Sequence, residues 1–322
     1  MESLTVGSDC SGMSTELHAL DLLNIKYIHE FSSEIWEPAI RYIRSNHRPK
    51  KLWRDMSQRN MDDVPYVDLY VCGFPCQPVS GMNQNKKEDD PRREILNVVL
   101  DYIETKKPKY FILENVVGLM RASKGAIWNK LVDRLDGMKD YTWDYRILDP
   151  CKHAGSPQSR PRIYICGRKG NLRFNWPSEI PLQTSCVDIL DHNAEEKTAA
   201  PCYHRQMRTW GITSSDVGII EFCAASRQFS PYIDSKILNE KQRAQVVRSH
   251  IAACLIRHDP GPYAVHLDRM LTANECLVLQ GFDTSKVRKP QVTPLQMRQL
   301  CGNAMHCGVL TRLLQSLLSN SV

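Results

Sequence analysis

Apolar positions follow two rhythms along the first half of the chain. Short apolar runs at residues 4–6, 27–31, 67–72, 110–113, 141–148 and 163–166 end in polar or glycine-rich turns and read as strands. Between them, residues 15–23 place Leu17, Leu20 and Leu23 on one side of a helix, and residues 37–46, 95–103 and 128–138 are likewise helical. Strands alternating with helices predict an α/β protein built on a doubly wound, mostly parallel sheet covered on both faces. In such sheets ligands bind at the carboxyl ends of the strands. The turn at residues 7–14, Glu34, Pro75-Cys76-Gln77 and Glu114-Asn115 all follow predicted strands, so one crevice is expected to collect them.

The rhythm fades near residue 173. From there to about residue 263 periodicity is weak, with Pro177, Pro181, Pro201, Pro231, Pro260 and Pro262 among many Ser, Thr and Arg residues. This predicts a smaller, irregular second domain at 173–266, after a large domain at 1–172. Helical patterning returns at 272–279, 293–300 and through Leu310, Leu313, Leu314, Leu317 and Leu318, so residues 267–322 are expected to return to the large domain.

The composition changes this picture little. The 322 residues are 42% hydrophobic and 24% charged, with 42 Lys and Arg against 36 Asp and Glu, which excludes disordered, collagen-like and coiled-coil chains. A formal charge of +6 permits a polyanionic partner without demanding one. The 12 cysteines are spread evenly and none forms Cys-x-x-Cys, which argues against a disulfide scaffold or structural zinc and for reduced thiols. The start of the chain has no basic-then-apolar pattern, and no apolar run approaches ~18–20 residues. A soluble intracellular protein is expected.

Several residues could carry chemistry, each with a plainer alternative. Cys76 lies between Pro75 and Pro78, a rigid loop at a strand end that suits a nucleophile, although a buried structural thiol is equally in keeping. Glu114 ends an apolar strand, where a carboxyl group can hold a proton near neutral pH, or be an ordinary exposed acid. On an extended chain Gln158, Arg160 and Arg162 share a face and could grip oxygens, or form a solvated basic edge. The turn at 7–14 could offer backbone amides to an anionic group, though it lacks Gly-x-Gly-x-x-Gly. Glu34, ~20 residues beyond it, is placed to grip ribose hydroxyls.

Together these segments resemble the DNA (cytosine-5) methyltransferase family. Asp9 to Ser14 resembles its cofactor loop, Gly73-Phe74-Pro75-Cys76-Gln77 its nucleophile motif and Glu114-Asn115-Val116 its Glu-Asn-Val motif. Gln158-Ser159-Arg160-Pro161-Arg162 resembles its Gln-x-Arg-x-Arg motif. Arg269 to Phe282 is similar to the motif after the recognition region, and Gly302-Asn303-Ala304 to the final cofactor motif. Six motifs in order cover about three quarters of the chain; residues 173–266 match by position only. Cys10 stands where the family usually has an aromatic residue, and Ser14-Thr15 where it has a glycine pair.

The resemblance implies a class I S-adenosylmethionine-dependent methyltransferase fold with a target-recognition domain. It implies that Cys76 adds to carbon 6 of a flipped-out cytosine, that Glu114 binds the amino group and N3, and that Arg162 binds the ring carbonyl with Arg160 in support. S-adenosyl-L-methionine is the implied methyl donor and S-adenosyl-L-homocysteine the product. The donor's site would include Cys10, Ser11, Gly12, Met13, Ser14, Glu34, Ile35, Asp55, Met56, Gly73, Pro75, Leu96, Asn303 and Ala304. Gln77, Ser80, Asn115, Gln158, Arg205, Arg208 and Arg227 would contact the substrate. The expected partner is double-stranded DNA, with no membrane, no metal and a monomeric chain, nuclear in a eukaryote or cytoplasmic in a bacterium or phage. The same chemistry on tRNA is the alternative, weighed lower because the recognition region lacks Cys-Phe-Thr. A catalytically silent nucleic-acid-binding protein is the other.

Overall fold

The computed structural model describes residues 3–75, 94–170, 175–194, 201–222, 239–257, 261–288 and 290–319. The chain forms two compact units. One comprises Met1–Leu148, Pro161–Ser178 and Val309–Val322, the other Asp149–Arg160 and Glu179–Gly308.

The first unit is built on a seven-stranded sheet. Its strands are β1 (Leu4–Asp9), β2 (Tyr27–Ser33), β3 (Lys51–Trp53), β4 (Leu69–Cys72), β5 (Tyr110–Val116), β6 (Tyr141–Leu148) and β7 (Arg162–Lys169), in the order β3-β2-β1-β4-β5-β7-β6. The first five run parallel, and β7 is antiparallel to both β5 and β6. Helices α1 (Thr15–Leu22), α2 (Glu37–Asn46), α3 (Glu94–Lys106) and α4 (Ala126–Gly137) connect them, as the alternating pattern predicts. The central strand β5 is buried along Tyr110–Asn115, hence its near-continuous apolar run; the edge strand β6 is mostly half-exposed. β1 passes so close to β2 that a Cβ on Gly7 would lie 2.2 Å from the Phe31 ring, so only glycine fits there.

The second unit contains the short helix α5 (Pro150–His153), then α6 (Pro201–Trp210), β8 (Ile219–Phe222), α7 (Glu240–Val246), β9 (Gly261–Ala264), β10 (Arg269–Met270), α8 (Ala273–Leu279) and α9 (Pro294–Asn303). Its three strands form an antiparallel sheet in the order β10-β9-β8. Tyr203, Met207 and Trp210 of α6 pack with Ile220, Tyr263 and Met270 into its core. Thr272 with Glu275 and Thr293 with Gln296 form capping boxes that start α8 and α9. A final helix, α10 (Cys307–Leu318), buries Val309, Leu310, Leu313, Leu314 and Leu317. No helix among the described residues is long and apolar enough to cross a membrane.

Candidate active site

Parallel strands deliver their carboxyl ends to one edge of a sheet. In the first unit that edge carries Cys10 to Ser14 after β1, Glu34 and Ile35 after β2, Asp55 and Met56 after β3, and Gly73 to Pro75 after β4. Glu114 and Asn115 close β5 at the same edge. Because β7 runs the other way, its first residue, Arg162, also begins there, opposite Val116. Cys76, Gln77, Ser80 and Arg227 lie outside the described residues.

The loop after β1 is tightly wound, with Cys10, Gly12 and Ser14 all at positive φ of 47–54°. Its amides are largely engaged within the protein: Ser11 N–H donates to the Ser33 carbonyl at 3.0 Å and Ser14 N–H to the Ser11 carbonyl at 2.7 Å. Gly12 N–H donates to Glu34 Oε2 at 2.8 Å. The open anion-binding amides expected from sequence are therefore not those of Ser11, Gly12 and Ser14. Trp36 N–H donates to the other Glu34 oxygen at 2.9 Å, so two amides orient the carboxylate. A carboxylate only accepts hydrogen bonds, so hydroxyl groups are the donors that suit it. Ile35 beside it is 72% exposed, an unusual position for a large apolar side chain. Asp55 accepts from Ser57 N–H and Oγ–H at 2.9 and 2.7 Å and caps a short turn holding Met56, whose sulfur receives the Cys10 thiol at 3.9 Å. Met13, Met56 and Leu96 are buried.

Beneath this loop lies a pair the sequence reading missed. Arg59 and Asp9 form a bidentate ion pair, Nη1–Oδ1 at 2.5 Å and Nη2–Oδ2 at 2.6 Å, with side chains 1% and 0% exposed. Tyr70 Oη–H donates to Asp9 at 2.8 Å, and Arg59 Nη1 also reaches Ser33 Oγ at 2.6 Å. The guanidinium lies over the Phe31, Trp53 and Tyr102 rings, 5.3–6.0 Å from their centroids. Nothing in the spacing of two residues fifty positions apart announces such a pair; an aspartate inside a short buried strand was the one available signal.

At the other side of β4, Asn115 is 1% exposed and its Nδ2 donates to the Phe74 carbonyl at 3.1 Å. Cys72 is the register partner of Leu113. The segment that leads into Cys76 is thus tied to the strand that carries Glu114. The Glu114 carboxylate meets Arg162 Nε at 3.3 Å, with side chains 12% and 15% exposed. The carboxyl group is accordingly ion-paired in a nearly closed setting, rather than a lone acid among apolar neighbours.

In the second unit, Gln158 is fully buried and donates to the Leu279 carbonyl at 2.9 Å. Arg160 is 3% exposed and donates to the carbonyls of Leu255, Gly302 and Ala304 at 2.6, 3.0 and 2.9 Å and to Cys254 Sγ at 3.0 Å. Arg160 and Arg162, expected on one face, therefore have different partners, and Arg160 spends its donors on backbone. Ala304 is buried and Asn303 exposed. On α6, Arg205 and Arg208 are exposed while Tyr203, Met207 and Trp210 face inward, the separation an amphipathic helix produces.

Two kinds of buried titratable group adjoin the loop. Burial pushes the Glu16 carboxyl up to about 7, and one of its oxygens has no hydrogen-bond partner among the described residues. Burial lowers His18 and His29 to about 4 and His47 well below its ordinary value. The His18 and His47 rings lie 4.8 Å apart.

Comparison with known proteins places this geometry. The family model for C-5 cytosine-specific DNA methylase matches residues 8–319. The Type II methyltransferase M.NgoBI of Neisseria gonorrhoeae is 28% identical over 292 residues, covering 89% of this chain and 86% of that protein. The Type II methyltransferase M.NlaX of Neisseria lactamica is 34% identical over 170 residues, covering 52% of this chain and 53% of its own length, so that match spans about half of the relative. Among solved structures, the Entamoeba histolytica methyltransferase EhMeth has a TM-score of 0.72 at 18% identity over the whole of both chains, a likeness of fold.

Proposed function

The chain belongs to the C-5 cytosine-specific DNA methylase family, and from that premise we propose that it acts as a DNA (cytosine-5) methyltransferase on double-stranded DNA, with S-adenosylmethionine as methyl donor. The observation that carries this reading is the joining of β4 to β5: Asn115 holds the Phe74 carbonyl two residues before Cys76, on the strand that bears Glu114, whose partner Arg162 opens the neighbouring strand β7.

The residues after β1, β2 and β3 fit the donor. Glu34 is a carboxylate already oriented for hydroxyl groups, and the exposed Ile35 supplies an apolar face beside it. We assign Glu34 to the ribose and Ile35 to the adenine ring. Asp55 is assigned to the adenine amino group, and Cys10 to Ser14, Met56, Gly73, Pro75 and Leu96 to the surrounding wall. The donor supplies a methyl group on a sulfonium and departs as S-adenosylhomocysteine.

Carbon 5 of cytosine is a weak nucleophile. Cys76 thiolate forms a bond to carbon 6, the electron pair of the 5,6 double bond becomes a 4,5 double bond, and N3 takes a proton from Glu114, which acquires it from water on leaving its ion pair with Arg162. Carbon 5 then behaves as an enamine carbon and takes the methyl group, and N3 returns its proton to Glu114 as the ring's 3,4 double bond re-forms. Loss of the carbon 5 proton to a base expels Cys76 and restores the double bond. Arg162 holds the ring carbonyl oxygen. The Glu114–Arg162 pair keeps both groups at hand before the base arrives. Proton transfer of this kind is worth typically ~100- to 10,000-fold. The target atom is inaccessible in a duplex, so the cytosine must be flipped out at a cost of a few kcal/mol. Residues 173–266 are proposed to recognise the target, with Arg205 and Arg208 on phosphates.

The test is methyl transfer from labelled donor to duplex DNA and, separately, to tRNA. Transfer to duplex DNA and its loss in Cys76→Ser are expected, together with a covalent adduct on duplex carrying 5-fluorocytosine, in which the final proton loss is blocked. Full activity in Cys76→Ser overturns the nucleophile, and transfer to tRNA alone overturns the substrate.

A further inference from the structure

We infer that Arg59 is a positioning residue for methyl-donor binding, acting through Asp9 and Ser33 on the loop from Cys10 to Ser14; this rests on the donor site proposed above. Three observations converge. First, Arg59 clamps Asp9, the last residue of β1, so that the loop springs from a fixed point. Second, its Nη1 also holds the hydroxyl of Ser33, the last residue of β2. The Ser33 backbone pins the far side of the same loop: its carbonyl accepts from Ser11 N–H at 3.0 Å, and its N–H donates to Ser11 Oγ at 3.2 Å. One guanidinium therefore sets the distance between the two strand ends that carry Cys10 to Ser14 and Glu34. Third, its position admits little slack. The Asp9 contact uses both terminal nitrogens, Tyr70 fixes the carboxylate from a third side, and three aromatic rings enclose the guanidinium.

The chemistry calls for arginine. A planar fork satisfies two carboxylate oxygens and a hydroxyl at once, whereas a lysine ammonium is a point charge that cannot span them. Loss of the fork leaves β1 and β2 paired but frees the loop to sample other arrangements. Apparent affinity falls in proportion to the fraction of molecules holding the binding arrangement. Arg59 touches neither the donor nor the base in this reading; its effect travels through Asp9 and Ser33.

The experiment uses the full chain and calorimetric titration with S-adenosylhomocysteine, beside duplex-DNA affinity without donor and steady-state kinetics. Arg59→Lys is expected to weaken S-adenosylhomocysteine about tenfold or more, as loss of a charged hydrogen bond implies. The KM for the donor rises with it, while kcat at saturating donor and DNA affinity stay within about twofold. Ser33→Ala, which keeps the ion pair and removes only the link to β2, is expected to weaken binding about threefold, and decides the matter if Arg59→Lys does not fold. Wild-type affinity for S-adenosylhomocysteine in the folded variants overturns the inference. So does an equal fall in donor binding, DNA binding and kcat, which marks a purely structural residue. If the wild-type chain binds no S-adenosylhomocysteine, the proposed donor site itself falls and the inference with it.

Discussion

Replacing Arg160 with alanine should destabilise the second unit severely, because the side chain is a buried strut. Its guanidinium is 3% exposed and closes three hydrogen bonds of 2.6–3.0 Å to the carbonyls of Leu255, Gly302 and Ala304. Hydrogen bonds to a charged donor contribute roughly 1.5–3 kcal/mol each, so three set a ceiling of roughly 5–9 kcal/mol. Water entering the vacated volume satisfies some of the carbonyls, and the expected loss is about 4 kcal/mol. With a urea m value of about 2.5 kcal/mol/M, the midpoint falls by roughly 1.6 M. Arg160→Lys, one ammonium against three acceptors, should lie about halfway. The assay is urea denaturation followed by circular dichroism. A midpoint within roughly 0.3 M of wild type for Arg160→Ala, under about 1 kcal/mol, would refute the strut and return Arg160 to a direct role on substrate.

Two further perturbations stem from burial. The Glu16 carboxyl is protonated up to about pH 7 when folded but ionises near 4.5 when unfolded. Its contribution to stability is therefore complete below pH 4.5 and lost as pH rises to about 7, a difference on the order of 3 kcal/mol. Glu16→Gln should raise the melting temperature at pH 8 and leave it nearly unchanged at pH 4.5; an equal shift at both would contradict this. His18 and His29 work in the opposite sense, neutral when folded down to about pH 4, so stability should fall between pH 6.5 and 4. In the Glu16→Gln background that fall should be steeper, and a flat melting temperature from pH 7 to 5 would count against buried neutral histidines. Gly7→Ala drives a methyl group into the Phe31 ring and should cost about 2–3 kcal/mol in thermal unfolding, partly recovered in Gly7→Ala/Phe31→Leu. Wild-type stability in the single variant would show that the ring moves freely.

Periodicity made the large sheet legible because each of its main strands is longer than a turn and bounded by glycine, proline or acid. Helix α2 and strand β6 fall at Glu37–Asn46 and Tyr141–Leu148, the limits their patterns predict. Strand β3, three residues at the sheet edge, gave no usable period. Nor did β8, β9 and β10, which are two to four residues long, one of them containing Pro262. Helix α6 escaped notice behind Pro201 and its many polar residues, although Tyr203, Met207 and Trp210 recur at helical spacing. At the site, strand-end logic found Glu34, Glu114 and the turn after β1. It could not find Arg59, whose part depends on a contact fifty residues away, nor foresee that Arg160 turns its donors onto backbone carbonyls.

The division of the chain also sets an order of events during synthesis. The first unit gains its last strand at Lys169, yet its final segment, Val309–Val322, is translated only after the whole second unit. At about 5–20 residues per second, the intervening stretch keeps the ribosome occupied for roughly 7–28 s. Throughout that interval the surface later covered by Val309, Leu310, Leu313, Leu314 and Leu317 has no cover from its own chain. Exposed apolar surface of this kind makes a partly made chain prone to aggregate, so the interval before the last helix is the vulnerable one.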